Sequence, residues 1–144
     1  TGEQIAHLTT LIGNLQASLT QLDQEIADQL LDLSLEVASQ MLRSSLKVRR
    51  ELLLPTIREA LAELPLHHGA ISLHLNPADA EILLPQLKEQ LAHTTAHIVS
   101  DNNIAEGGCL VKAGSSEIDA SIEVRWRRVL ETMGLKTKEW LSNT

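Results

Sequence analysis

An α+β protein, with a long N-terminal coiled-coil helix followed by a small α+β head of three or four short strands and flanking helices, is the fold class this sequence predicts. Three observations carry the prediction. Ile5, Leu8, Ile12, Leu15, Leu19, Leu22 and Ile26 recur at alternating spacings of 3 and 4, which is a heptad seam. Ile71, Leu73 and Leu75 alternate with Ser72 and His74, the period of a half-buried strand. Short apolar runs after residue 95 are separated by Asp-Asn-Asn, Glu-Gly-Gly and Gly-Ser-Ser, residues that supply turn conformations.

The seam comes first in the chain. Ile occupies three of the a-type positions and Leu the d-type positions, a pairing that favours two parallel strands over higher oligomers, so Ile5 to Ile26 are expected to form the interface of a homodimer. Gln29 breaks the repeat, and the apolar line resumes at Leu30, Leu33 and Val37 in the manner of a stutter. One helix is expected to about residue 44, with Leu31, Leu35 and Ala38 widening its second half for packing on the head. The division falls between a stalk, 1–46, and a head, 47–144. Lys47 to Arg50 reads as a basic, polar junction.

Leu53, Leu54, Ile57, Ala60, Leu61 and Leu64 define a second helix, with Pro55 near its first turn and Pro65 ending it. After the first strand, Asn76-Pro77-Ala78-Asp79 marks a helix start: Asn76 caps, Pro77 suits the first helical position and Asp79 faces the positive end of the dipole. Ile82, Leu83, Leu87 and Leu91 carry that helix to about residue 92, kinked at Pro85. Strands follow at about 96–100 and 109–113, with a short fourth at Glu117-Ile118, in a mostly antiparallel sheet. Asp119 or Ser121 caps the last helix, whose buried face is Ile122, Val129, Leu130 and Met133 beside Trp126. Gly134 is its stop, and the tail beyond is polar apart from Leu135, Trp140 and Leu141.

Composition narrows the function. With no Phe or Tyr and only Trp126 and Trp140 as aromatics, the chain lacks the stacking platforms of single-strand nucleic-acid binders. A net charge of −7 also argues against a nucleic-acid partner. That charge is uneven: residues 1–46 hold six acids and one base, whereas 120–144 hold five bases and three acids, so the last helix suits an acidic partner. No apolar run reaches the roughly 20 residues of a transmembrane helix. A single cysteine, Cys109, excludes an internal disulfide and fits a reducing compartment.

Catalytic arrangements are weak. Cys109 follows a turn and opens a strand, with neither a helix N-terminus nor a base beside it, so a small core residue is expected instead of a nucleophile. His67-His68 and the pair His93 and His97 lack acidic or cysteine ligands at metal-site spacing. Asp101, Asp119 and His97 could form an acid–base site only by abandoning turn and capping roles. The expectation is therefore no enzyme, no metal and no cofactor, with a small cysteine or metal hydrolase as the remote alternative.

The run GGCLVKAGSSEIDASIEVRWRRVLETMG, residues 107–134, resembles the C-terminal signature of the flagellar assembly protein FliH family. LDQEIADQLLDLSLEVASQMLR (22–43), REAL (58–61) and LNPADAEIL (75–83) are similar too, so the likeness covers about residues 20–134. The injectisome stator proteins are similar over the same region, and Arg-Trp-Arg-Arg at 125–128 is the more flagellar feature; the E subunit of rotary ATPase stalks is a distant relative. The resemblance implies a non-enzymatic stator and regulator, in which a homodimer binds the N-terminal helix of the flagellar type III export ATPase and inhibits or tethers it. It implies a cytoplasmic protein peripheral to the inner membrane. Contacts with the export gate and C-ring would use an N-terminal segment that this chain lacks. A partner helix needs an exposed apolar groove, for which Leu110, Val111, Ile122, Trp126 and Val129 are the candidates.

Overall fold

The structure, a computed structural model, describes residues 1–65, 69–135 and 140. Its contacts group into two compact units, Thr1–Met41 and Leu42–Thr144. Helix α1 is Gly2–Val48, 47 residues and about 70 Å at 1.5 Å per residue, four residues longer at its C-terminal end than the apolar period alone indicates. Nothing interrupts it: Gly13 costs only a fraction of a turn's stability, and the first proline is Pro55.

A single 3₁₀ turn, Arg50–Leu52, separates α1 from α2, Leu53–Ala62. Pro55 lies within the first turn of α2, where a missing N–H is harmless. Strand β1, Ile71–Leu75, leads into α3, Pro77–Ile82, and the Asn76 side chain caps α3 by accepting from the Ala78 N–H at 3.0 Å. Where the sequence suggested one kinked helix there are two. Helix α4, Leu84–Gln90, starts afresh after Leu83 with Pro85 in its first turn. Proline lacks the N–H that would continue α3 and its ring clashes with the carbonyl four residues back.

Strands β2 (Ala96–Ser100), β3 (Cys109–Ala113) and β4 (Ser116–Ala120) complete a sheet of order β2-β1-β3-β4. β1 pairs with β3, and β3 with β4, antiparallel, whereas β1 and β2 run parallel. The sheet is therefore mixed, and the fourth strand is as long as the others. The parallel pair requires a crossover, which α3 and α4 supply. β3 and β4 are joined by Gly114-Ser115, and Gly114 takes φ +58 in that turn. Helix α5, Ile122–Thr132, is capped by Ser121, whose hydroxyl accepts from the Val124 N–H. Asp119 instead accepts from the Ser121 N–H at 2.9 Å.

One face of the sheet is the core. Leu73, Leu75, Cys109, Val111 and Ala113 join Leu53, Ile57, Ala60 and Leu64 from α2, and Ala80, Leu83, Leu87 and Leu91 from the crossover, in a single apolar cluster. It is wholly aliphatic apart from one thiol, as the composition requires. Ser72, His74, His97, Val99, Leu110, Lys112, Glu117 and Asp119 line the opposite face by register, polar enough to meet water.

Candidate partner-binding surfaces

Three surfaces merit attention, and each follows from the local chemistry of the chain. The first is the seam of α1. Ile5, Leu8, Ile12, Leu15, Leu19, Leu22 and Ile26 all lie open, from 46% exposed at Ile26 to 67% at Ile5. A stripe of seven large aliphatic side chains left in water forfeits roughly 1.5–3 kcal/mol per residue relative to burial. An apolar stripe of that extent marks an association surface.

The second is α5. Ile122, Trp126 and Leu130 are buried, but Val129 and Met133 are 51% and 58% exposed. The apolar face of α5 is thus wider than the head covers, which corrects the expectation that Val129 and Met133 would be buried. Trp126, Val129 and Met133 fall at i, i+3 and i+7, a contiguous helical stripe. Arg125, Arg127 and Arg128 stand exposed on the same helix. At the Trp126 end of the stripe, the Trp140 ring meets Trp126 edge-on, with centroids 5.2 Å apart and planes at 65°. The guanidinium carbon of Arg43 sits 4.4 Å from the Trp140 centroid.

The five candidate groove residues do not share one surface. Val111 and Ile122 are buried, Val111 within the main cluster, while Leu110 is half-buried on the opposite sheet face. Ile122, Trp126 and Val129 lie along one side of α5, the first two buried and Val129 exposed, with Met133 following. Arg43 and Trp140 were missed by sequence reasoning because they lie 97 positions apart and no period links them.

The third is a charged clamp at the end of α1. Arg50 donates from Nη1 to Asp79 Oδ1 at 2.6 Å and lies 3.2 Å from Glu106 Oε2 through Nη2. The other Asp79 oxygen accepts the Gly107 N–H at 2.9 Å. The Asp79 side chain is 1% exposed and that of Arg50 15%. Burial acts to lower the Arg50 pKa, but the hydrogen bond and charge of Asp79, then those of Glu106, outweigh it and raise the pKa. The sequence placed Asp79 at a helix dipole and Arg50 in a polar junction. They are instead one ion pair linking the 3₁₀ turn, α3 and the loop before β3.

That loop explains the two glycines before Cys109. Gly107 has φ +87, and a Cβ there would meet Leu46 Cδ1 at 2.6 Å. Gly108 is pressed against the entry of α5: an added Cβ would lie 2.7 Å from the Ile122 nitrogen. One glycine supplies a left-handed backbone; the other allows two backbones to approach. Cys109 follows, fully buried, with its pKa pushed up to about 12, chiefly by burial. A thiol so protonated is a poor nucleophile.

One constellation looks catalytic on distance alone. Ser72 Oγ lies 3.2 Å from His74 Nε2, and His74 Nδ1 lies 3.4 Å from Asp101 Oδ2. Ser72 is in the middle of a central strand, whose N–H groups are committed to ladders on both sides, so they offer no oxyanion donors. Asp101 lies near His74 without a hydrogen bond to its Nδ1, and accepts the Asn103 N–H at 2.9 Å as a turn residue. His93 lies in a turn and His97 on β2, so they share no helix face; His67 and His68 fall outside the described residues. Among the described residues no group of three or more His, Cys, Asp or Glu could hold a metal ion, and no helix is long and apolar enough to cross a membrane.

Comparison with known sequences adds the family. The sequence model of the flagellar assembly protein FliH family matches residues 2–129. A flagellar assembly protein FliH from Salmonella typhimurium is 29% identical over 77 residues, covering 54% of this chain and 33% of that protein. The corresponding Escherichia coli protein is 29% identical over 77 residues, covering 54% of this chain and 34% of its own length. The chain thus spans about a third of the length of the curated relatives it matches.

Proposed function

This chain belongs to the flagellar assembly protein FliH family, and on that premise we propose that it is a non-enzymatic stator and regulator of the flagellar type III export ATPase. It pairs through α1 as a homodimer, binds the N-terminal helix of the ATPase, and inhibits or tethers it at the cytoplasmic side of the inner membrane.

The observation that carries this reading is the open Ile/Leu seam from Ile5 to Ile26, whose 3,4 spacing fits a parallel two-stranded coil. The exposed Val129 and Met133 of α5 support the second half, because an amphipathic partner helix lays its apolar face against such a surface. Both relatives described above are flagellar proteins, which favours the flagellar export system over the injectisome. A hydrolase reading has no support from the buried, protonated Cys109 thiol.

The test is calorimetric titration of the chain with a peptide covering the N-terminal helix of the export ATPase, with the mass of the free chain measured by light scattering. Saturable binding to a dimer supports the reading. One peptide per two chains means that the heads share one helix, and one per chain means that each takes its own. A folded dimer that ignores the peptide refutes the proposed partner.

A further inference from the structure

We propose that the pairing surface of α1 does not end at Ile26: a second copy of this chain also covers Leu30, Leu33, Val37 and Met41, in a coil whose period changes from seven residues to eleven. The inference rests on the reading of α1 as a parallel homodimer, and assigns the surface beyond the break at Gln29.

The open side of α1 carries the case. Leu30, Leu33, Val37 and Met41 are 48% to 66% exposed, all within the unit Thr1–Met41. Leu31, Leu35 and Ala38 are half-buried and Ser39 is buried. The second half of the helix is therefore apolar on two sides, and the open one needs an occupant of its own. Counted from Leu22, its residues follow spacings of 4, 4, 3, 4 and 4 through Ile26, Leu30, Leu33, Val37 and Met41. Leu22 and Leu33, Ile26 and Val37, and Leu30 and Met41 are each 11 apart. A seven-residue repeat winds a pair of helices to the left, and an 11-residue repeat winds them to the right. The three heptads from Ile5 to Ile26 carry the stripe back by about 60° around the helix, and the next eleven residues return it by about 20°. The stripe thus keeps to one side of α1 from Ile5 to Met41.

A second copy is the occupant that fits. Parallel pairing at the seam sets each Leu30–Met41 stripe beside the same stripe of the copy, with no further docking event. The bordering residues Ser34 and Gln40 are uncharged, and Asp28 and Asp32 fall on the far side of the helix, so no like charges face each other. Continuing the heptad past Ile26 would instead bury Gln29, Glu36 and Gln40, polar groups that are costly to desolvate. In the 11-residue phase Gln40 keeps its exposed hydrogen bond from Nε2 to Glu36 Oε1 at 3.0 Å. Leu30–Met41 is shorter than two heptads, too short to hold two chains by itself. It extends the seam and does not replace it.

The experiment uses the full chain with Cys109→Ala as background, since Cys109 is its only cysteine. Leu30→Cys and Val37→Cys probe the 11-residue phase, Gln29→Cys and Glu36→Cys the heptad phase, and Ile26→Cys, common to both, is the reference. Mild oxidation followed by a non-reducing gel reads the covalent dimer. Leu30→Cys and Val37→Cys should cross-link about as fast as Ile26→Cys, and Gln29→Cys and Glu36→Cys at least about tenfold more slowly, because a disulfide needs closely apposed Cα atoms. Faster reaction at Gln29→Cys and Glu36→Cys means that the heptad continues. Reaction at Ile26→Cys alone means that the helices part beyond it and another occupant takes the stripe. Either result overturns the proposal and leaves the homodimer standing. No cross-link at Ile26→Cys, with a monomer by light scattering, refutes both.

A second measurement does not depend on thiol chemistry. Val37→Asp combined with Met41→Asp should raise the dimer dissociation constant at least about tenfold, since each places a charge in an apolar interface. An unchanged constant overturns the proposal.

Discussion

Removing the Asp79 carboxylate is the sharpest test of how the head is held together. In Asp79→Asn the side-chain shape persists and one amide oxygen remains for the Gly107 N–H. What disappears is the negative charge 2.6 Å from Arg50. Breaking a buried ion pair from one side costs about 3–5 kcal/mol. Arg50 keeps Glu106 at 3.2 Å and is not wholly buried, so the expected loss is about 3 kcal/mol, the low end of that range. Asp79→Ala additionally leaves the Gly107 N–H without its acceptor, which adds roughly 1–2 kcal/mol. Urea unfolding monitored by tryptophan emission measures these losses in the right place, because Trp126 and Trp140 both belong to the unit Leu42–Thr144. The double variant Arg50→Met, Asp79→Asn should lose more than Asp79→Asn alone, because Glu106 is then left without its cationic partner. An Asp79→Asn loss below about 1 kcal/mol, the scale of a surface pair, would refute the view of Asp79 as a buried counter-ion.

Gly108→Ala should destabilise the head by about 1–3 kcal/mol, because its Cβ meets backbone at 2.7 Å and an overfilled site must shift. Gly114→Ala, with open space around it, should cost only the left-handed strain of about 1–2 kcal/mol. Comparative thermal melts will rank the two. Leu15→Asp combined with Leu22→Asp should weaken dimerisation by at least about a hundredfold, since two buried leucines contribute about 3 kcal/mol or more. Light scattering that still shows a dimer would place the subunit contact in the head. The Cys109 thiol should resist aromatic disulfide reagents until denaturant is added. It also sets a pH dependence: its folded pKa, about 12, lies above its ordinary 9.0, so above that ordinary value the unfolded chain loses a proton that the folded chain keeps. The contribution is complete below about pH 9 and is lost as pH rises toward 12, and Cys109→Ala should abolish that part of the decline.

Much of this architecture was legible because it is written in local periods. Helix α1, the alternation of β1 and the Asn76 cap each depend on residues within a few positions of one another, and each formed as expected. The parallel pairing of β1 with β2 was readable in principle: a strand, a helical stretch and a second strand form the pattern of a crossover unit. The clamp was not readable. Arg50 and Asp79 are 29 positions apart, and either alone looks like an ordinary surface charge. The role of Gly108 is equally invisible, since it depends on where Ser121 and Ile122 come to rest. On α5 the period correctly marked an apolar face, but period alone does not say how much of that face the head covers.

The strand order has a consequence for synthesis of the chain. β1 is the first strand of this sheet to be made and a central one, flanked by β2 and β3. Its register partner for Ile71 on β3 is Ala113, 113 − 71 = 42 residues downstream. At ribosomal rates of about 5–20 residues per second, that wait lasts roughly 2–8 s. Helix α1 closes its own backbone bonds turn by turn and needs no such delay. A nascent chain thus displays a finished helix ahead of a strand with two open edges, the state most prone to mispairing. Ser72 and His74, which keep one face of that strand polar, limit the hazard while the ribosome delivers its neighbours.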